Sequence, residues 1–207
     1  MTYEGFEVLD WVEPIDTVNL TIQNKYNIIG DIYQKREMHI QHGNYSKLQY
    51  KFSFDNRQER WEFANFFKYC KGKHQRFFIP SFKNDYKLLY RVPKGEFELV
   101  CKKSYEVVAF TEHLQFIYLE GEPRLYKILE VTEGFDDVLG VPITTIRVNA
   151  SFERDLEPEC TILQNCYFGR WDTDTLTYEL DDIYNSTASL PFREASKEEI
   201  AETFTWE

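Results

Sequence analysis

The chain is 207 residues long and carries 35 acidic against 24 basic side chains, a formal net charge of −11. That length suits one large or two small domains, each able to bury a core. The acidity excludes a protein that grips nucleic acid over its whole surface, because phosphate binding needs a basic patch. It suits instead a surface past which nucleic acid must travel without sticking.

No apolar run is long enough to span a membrane, and no basic-then-apolar leader opens the sequence. The expectation is a soluble protein made in a cytoplasm. Seventeen Phe, fourteen Tyr and four Trp favour β-sheet.

In chain order, Phe6 to Val12 reads as a strand, and Val18, Leu20 and Ile22 alternate in a second. Tyr26, Ile28 and Ile29 precede Gly30-Asp31, a turn signal. Met38, Ile40 and His42 alternate up to a second turn signal, Gly43-Asn44. There follow Leu48, Tyr50, Phe52 and Phe54, alternating with Lys47, Gln49, Lys51 and Ser53 as a half-buried strand does. Residues 36 to 54 are therefore expected to form a hairpin.

The next stretch, NRQERWEFANFFKYCKGKHQRFFIP, organises the rest. Trp61, Phe63, Ala64, Phe66, Phe67 and Cys70 recur at mostly three- and four-residue intervals, which predicts an amphipathic helix over 57–71. Trp61, Phe63, Phe66 and Phe67 are its expected core residues. Asn56 followed by Glu59 resembles a capping box, and Lys71-Gly72 supplies a cation and a left-handed stop. Phe77, Phe78 and Ile79 then form a short apolar strand closed by Pro80. Such an aromatic helix is expected to lie across a sheet.

After Ser81, Phe82 to Asp85 reads as a loop and short strands follow in quick succession. Phe97, Leu99 and Cys101 alternate, then Val107 and Val108, then Phe116 to Leu119, ended by Glu120-Gly121-Glu122-Pro123. Leu125 to Val131 comes next, with a turn expected at Glu133 to Asp137, and Ile146 and Val148 end the series. Turn signals at this spacing predict a small closed barrel at roughly 92–158. Beyond it, Ile162, Cys166 and Phe168 share a face, as do Leu176, Tyr178 and Leu180, with Trp171 to Asp174 as the turn between them. Thr187 to Phe192 is a last strand, and Ser196 with Glu199 caps a short helix whose apolar side is Ile200, Ala201 and Phe204. The expected fold is mainly β with one principal α-helix: a β-sandwich from residues 1–91 and 159–207, interrupted by the barrel.

Chemistry finds little to stand on. Cys70, Cys101, Cys160 and Cys166 include no CxxC pair, and each reads as a small hydrophobe. His39 and His42 would point to opposite faces of a strand, so they cannot share a metal, and His113 is alone. Cys70 and His74 are four apart, but Gly72 ends the helix that a nucleophile–base pair would need. No GxSxG, P-loop or GxGxxG occurs. Asp136-Asp137 and Asp181-Asp182 read as solvated turn acids, and Asp172 with Asp174 lacks the later glycine and glutamate of a calcium loop. No enzyme, cofactor or metal site is expected. The one basic run, Lys68, Lys71, Lys73, His74 and Arg76, favours the helix C-terminus electrostatically. Of these, Lys68, Lys71, Lys73 and Arg76 are the candidate contacts with an acidic partner subunit.

The phrase WEFANFFKYCKGKHQRFFIPSFKNDYKLL is similar to a segment of bacteriophage distal tail proteins of the long, non-contractile type. Phe116 to Val148 resembles the OB-like barrel that some of them carry as an insertion, and CYFGRWDTDTLTYELDDIYNSTASLPFRE resembles their return strands. The resemblance runs from about Glu37 to Glu194. It implies a structural virion protein: a ring, hexameric in that family, joining the tail tube protein to the hub of the baseplate and to receptor-binding or side-fibre proteins. It implies assembly in the host cytoplasm, residence in the virion tail, and DNA passing through the ring unbound. The alternative from another class is a monomeric carbohydrate-binding β-protein with barrel aromatics as sugar platforms.

Overall fold

The computed structural model describes residues 2–31, 36–103, 116–122, 124–180, 185–195, 199–200 and 203–204, with backbone alone for 16–47. The chain is mainly β with large antiparallel sheets and one principal helix, as expected. It divides into two compact units, residues 1–11 with 78–167 and residues 12–77 with 168–207. These bounds differ from the predicted insertion at 92–158. Val107, Val108, His113, Asp181-Asp182, Ser196 and Ala201 lie outside the described residues.

In the second of these units, the helix unit, β3 (Pro14–Asp31) and β4 (Arg36–Phe54) pair antiparallel along almost their whole lengths. β4 therefore runs straight through Gly43-Asn44, where a turn was expected. Between Asn24↔Asn44 and Tyr26↔Gln41 the single residue Lys25 faces both His42 and Gly43. The glycine marks a bulge in a long ribbon, whose pairing runs on to Asp31↔Arg36. On its other edge β4 pairs with β12 (Ser186–Glu194) over residues 47–54 only. β12 in turn pairs with residues 169–171 of β10 (Leu163–Trp171) and with the two-residue β11 (Glu179–Leu180).

Helix α1 (Arg57–Cys70) lies on this sheet. Asn56 Oδ1 accepts from the Glu59 N–H at 2.9 Å, while Glu59 Oε2 accepts from the Asp55 N–H at 3.0 Å, so the capping box reaches one residue further back than expected. The buried positions are Phe63, Phe67 and Cys70. At about 100° per residue these three cluster on one line, while Phe66 falls to its edge and Trp61 to the far side. Phe66 is accordingly half-buried, meeting the Phe77 ring edge-on at 5.2 Å. Trp61 is 65% exposed and is not a core residue.

The place expected of Trp61 belongs to Trp171, which was expected in a turn. It ends β10 fully buried, with Phe77 at 4.8 Å, Phe192 at 6.1 Å and Phe52 and Phe63 both at 6.2 Å. Lys71 takes the left-handed cap itself (φ 49°), and Gly72 follows at φ 57°. Gly72 is dictated by proximity as well: a Cβ there would lie 2.6 Å from Asp174 Oδ1.

In the other unit, the strand unit, β1 (Thr2–Tyr3) and β2 (Phe6–Glu7) form a small hairpin, and Val8 pairs in parallel with Phe78 of β5 (Phe77–Pro80). The first part of β10 is followed in the sheet by β7 (Phe116–Leu119), β8 (Leu125–Asp136), β9 (Val141–Val148) and β6 (Glu98–Lys102). Residues 85–89 link the two ends of that order. The Asp85 N–H donates to Leu163 O at 3.0 Å and the Leu89 N–H to Val100 O at 2.9 Å. This linking segment and residues 163–167 lie outside 92–158, so excising only 92–158 would cut through one core. That core holds Leu99, Ile117, Leu119, Tyr126, Ile146, Val148, Phe152 and Leu163.

The predicted loop at 82–85 is pinned on this unit. The Ser81 hydroxyl donates to Asp85, whose Oδ2 also accepts from the Asn165 N–H at 2.7 Å. Ile162, expected inside, is largely exposed, because β10 starts one residue later and its inward residue there is Leu163.

Candidate functional site

Burial opposes nucleophilic chemistry at three of the four cysteines, while Cys160, expected like the others to behave as a small hydrophobe, is exposed. Cys70 is fully buried while His74 is exposed, and burial pushes the Cys101 thiol up to about 12 and Cys166 well above its ordinary value. Among the described residues no group of His, Cys, Asp or Glu is placed to hold a metal. His39 and His42 both fall on β4, among residues described by backbone alone. Asp174 has a structural use: its Oδ1 accepts from the Lys73 N–H at 3.1 Å, fastening the 172–175 turn to the end of α1.

The predicted basic contact set separates. Lys68, Lys71 and Lys73 are exposed around the helix end. Arg76 is turned inward instead, its Nη1 donating to Thr203 Oγ1 at 2.6 Å and its Nη2 lying 3.3 Å from Glu199 Oε1. Arg170 and Arg193 meet the same carboxylate at 3.2 and 3.3 Å. One glutamate thus serves three half-buried guanidiniums, close to the buried Ile200 and to Phe204, which packs on Phe168. Of the four expected partner contacts, Arg76 is the one engaged within its own unit.

Two surfaces stand out that sequence reasoning missed. The first is an open groove of about 580 Å³ between the start of α1 and residues 176–180, lined by Arg57, Arg60, Trp61, Leu176, Tyr178 and Leu180. Leu176, Tyr178 and Leu180 were expected to be one face of a strand, but only Glu179 and Leu180 pair, and Leu180 is 66% exposed. The groove is built rather than incidental. The Tyr178 hydroxyl donates to Arg60 O at 2.9 Å, its ring meets Phe54 edge-on at 5.6 Å, and the Asp174 bond holds the preceding turn. Arg57, Arg60 and, elsewhere, Arg147 make no ion pair among the described residues, whereas Arg76, Arg91, Arg124, Arg154, Arg170 and Arg193 all do.

The second is the β8–β9 tip. The turn expected at Glu133 to Asp137 falls later, at 137–140, because Gly134 continues the strand opposite Ile143. Asp136 organises it: Oδ1 accepts from the Val138 and Leu139 N–H groups at 2.9 and 3.0 Å, and the Tyr90 hydroxyl donates to Oδ2. Gly140 completes the turn at φ 64°. Phe135, Val138 and Leu139 are left facing solvent, Val138 at 91% exposure, with Asp137 beside them.

The Tyr90 hydroxyl, and after it the turn amides, hold the Asp136 carboxyl below its ordinary value. A carboxylate depressed in the folded state stabilises the turn at all pH above its unfolded value, and that help is lost as pH falls through the folded value. The Val138 and Leu139 amide resonances are therefore expected to hold steady down to ordinary carboxylate pKa values and to move only below them. Movement centred at or above the ordinary aspartate value would remove this role from Asp136.

No known protein family matches the chain, and no curated protein matches it in sequence.

Proposed function

We propose that this chain is a structural protein of a bacteriophage tail, a ring subunit that joins the tail tube to the distal hub and receptor-binding apparatus. The observation that supports the reading best is the β3–β4 ribbon. Its strands are 18 and 19 residues long, yet among the described residues the one other strand paired with it, β12, reaches no further than residue 47 of β4. Beyond that point, among the described residues, two strands stand alone from Ile22↔Ser46 to Asp31↔Arg36.

A two-stranded ribbon is marginal by itself in water, and each edge offers a row of unpaired N–H and C=O groups. The outer edge of β3 alone is roughly 60 Å long at about 3.3 Å per residue. A ribbon of this length is best stabilised by neighbours that pair with it or cover it, as a closed ring of copies provides. The likeness of the helix-to-strand phrase at 61–89 to distal tail proteins points the same way. The net charge of −11 suits a lumen that DNA crosses without binding.

Light scattering and electron micrographs of the purified protein test the reading. A closed ring, and no retention of duplex DNA at low salt, are the expected results. A monomer that binds glycans would replace it with the carbohydrate-binding alternative.

A further inference from the structure

We propose that the β8–β9 tip of one copy seats in the α1 groove of the next, forming the head-to-tail contact of the ring; this rests on the ring reading above. The two surfaces are chemical complements. The tip presents Val138, Leu139 and Phe135 to solvent around the Asp137 carboxylate. The groove presents Trp61 and Leu180 beside Arg57 and Arg60, whose guanidiniums have no carboxylate among the described residues. Seating Val138 and Leu139 against Trp61 and Leu180 removes apolar surface from water on both partners. It also brings Asp137 to the two arginines, where the pair gains strength as water leaves.

Both surfaces are formed before they meet. Asp136 is occupied in holding the turn amides and takes no part in the contact, which leaves Asp137 as the tip's outward acid. Tyr178 and Asp174 fix the groove wall on α1. Little ordering is then needed on association, the condition under which a small contact is effective. Because tip and groove are different patches, every copy offers one of each, and repetition leads to a closed ring when the rotation closes.

The test uses the full chain in native mass spectrometry. V138D/L139D and R57E/R60E are each expected to lose the ring and remain monomeric, with the wild-type circular dichroism spectrum. All four positions are exposed or half-buried, and acids in the first helical turn favour α1. An equimolar mixture of the two variants is expected to stop at a heterodimer, since one intact tip meets one intact groove. Adding D137K to R57E/R60E is expected to restore assembly by reversing both charges, and Trp61→Ser to weaken it without touching the arginines. Rings from both double variants, with rings from wild type, would overturn this contact and leave the ring reading standing. A mixture of variants that stays monomeric would also overturn it. A wild-type protein that is monomeric at every concentration would overturn the ring reading and this contact with it.

Discussion

Replacing Trp171 by alanine is expected to destabilise the helix unit by about 3–5 kcal/mol. The indole is fully buried among Phe52, Phe63, Phe67, Phe77 and Phe192, which come from the sheet, from α1 and from the start of β5. No one neighbour can close the space, because each ring is fixed by others: Phe63 also packs on Phe54 at 5.0 Å and Phe192 on Tyr50 at 6.1 Å. Interiors are close-packed, so the lost contacts and the cavity act together.

The indole Nε1 is buried without an acceptor among the described residues. Trp171→Phe therefore gives up part of the area but also removes a polar group that was desolvated for nothing. It is expected to cost less than half of the alanine loss. Urea unfolding followed by far-ultraviolet circular dichroism measures both, and amide exchange in β12 confines the effect to this unit. Equal losses for phenylalanine and alanine would mean that the indole nitrogen has a partner.

Gly169→Ala is expected to cost about 3 kcal/mol, near the top of the range for overpacking. Gly169 pairs with Glu194 in the β10–β12 ladder. A Cβ there would stand 2.2 Å from Arg193 O, 2.7 Å from Phe192 Cζ and 2.9 Å from Glu194 Cα. Two of these three atoms are backbone in a paired strand, so relief requires the ladder itself to move. Gly134→Ala is the matched control. That glycine also lies in a strand, but its new Cβ would meet only the Ile143 side chain, at 3.5 Å, and should be accepted with little change. If both substitutions melt alike, the close approach of β10 and β12 is not what requires a glycine at 169.

Some of this architecture is legible in the residues because local pattern decides it. Leu48, Tyr50, Phe52 and Phe54 alternate in the sequence and are all buried, as are Leu99 and Cys101, although Phe97, expected on the same face, lies before β6 and is 46% exposed. Asn56 and Glu59 announce the start of α1, and their hydrogen bonds form within four residues, where chain connectivity alone brings them together. Glycine carries a weaker signal. Gly43 and Gly134 suggest turns, yet both continue strands, because a residue without Cβ serves a bulge or a close cross-strand contact as readily as a turn.

The sequence by itself determined the mainly β character, the helix with both its ends, and the alternating faces of β4 and β6. Each depends on periodicity and on contacts a few residues apart. Only the tertiary structure decided that Trp171 is the hub of the aromatic core while Trp61 stands in solvent. An apolar stripe wider than the buried line leaves open which of its edges meets the sheet. Only the tertiary structure joined β4 to β12 across more than a hundred residues, and turned Arg76 onto Glu199 while leaving Arg57 and Arg60 without a carboxylate among the described residues. Which charge finds a partner, and which surface remains open for another molecule, depends on what the fold brings near from elsewhere in the chain. Sequence spacing carries no record of that.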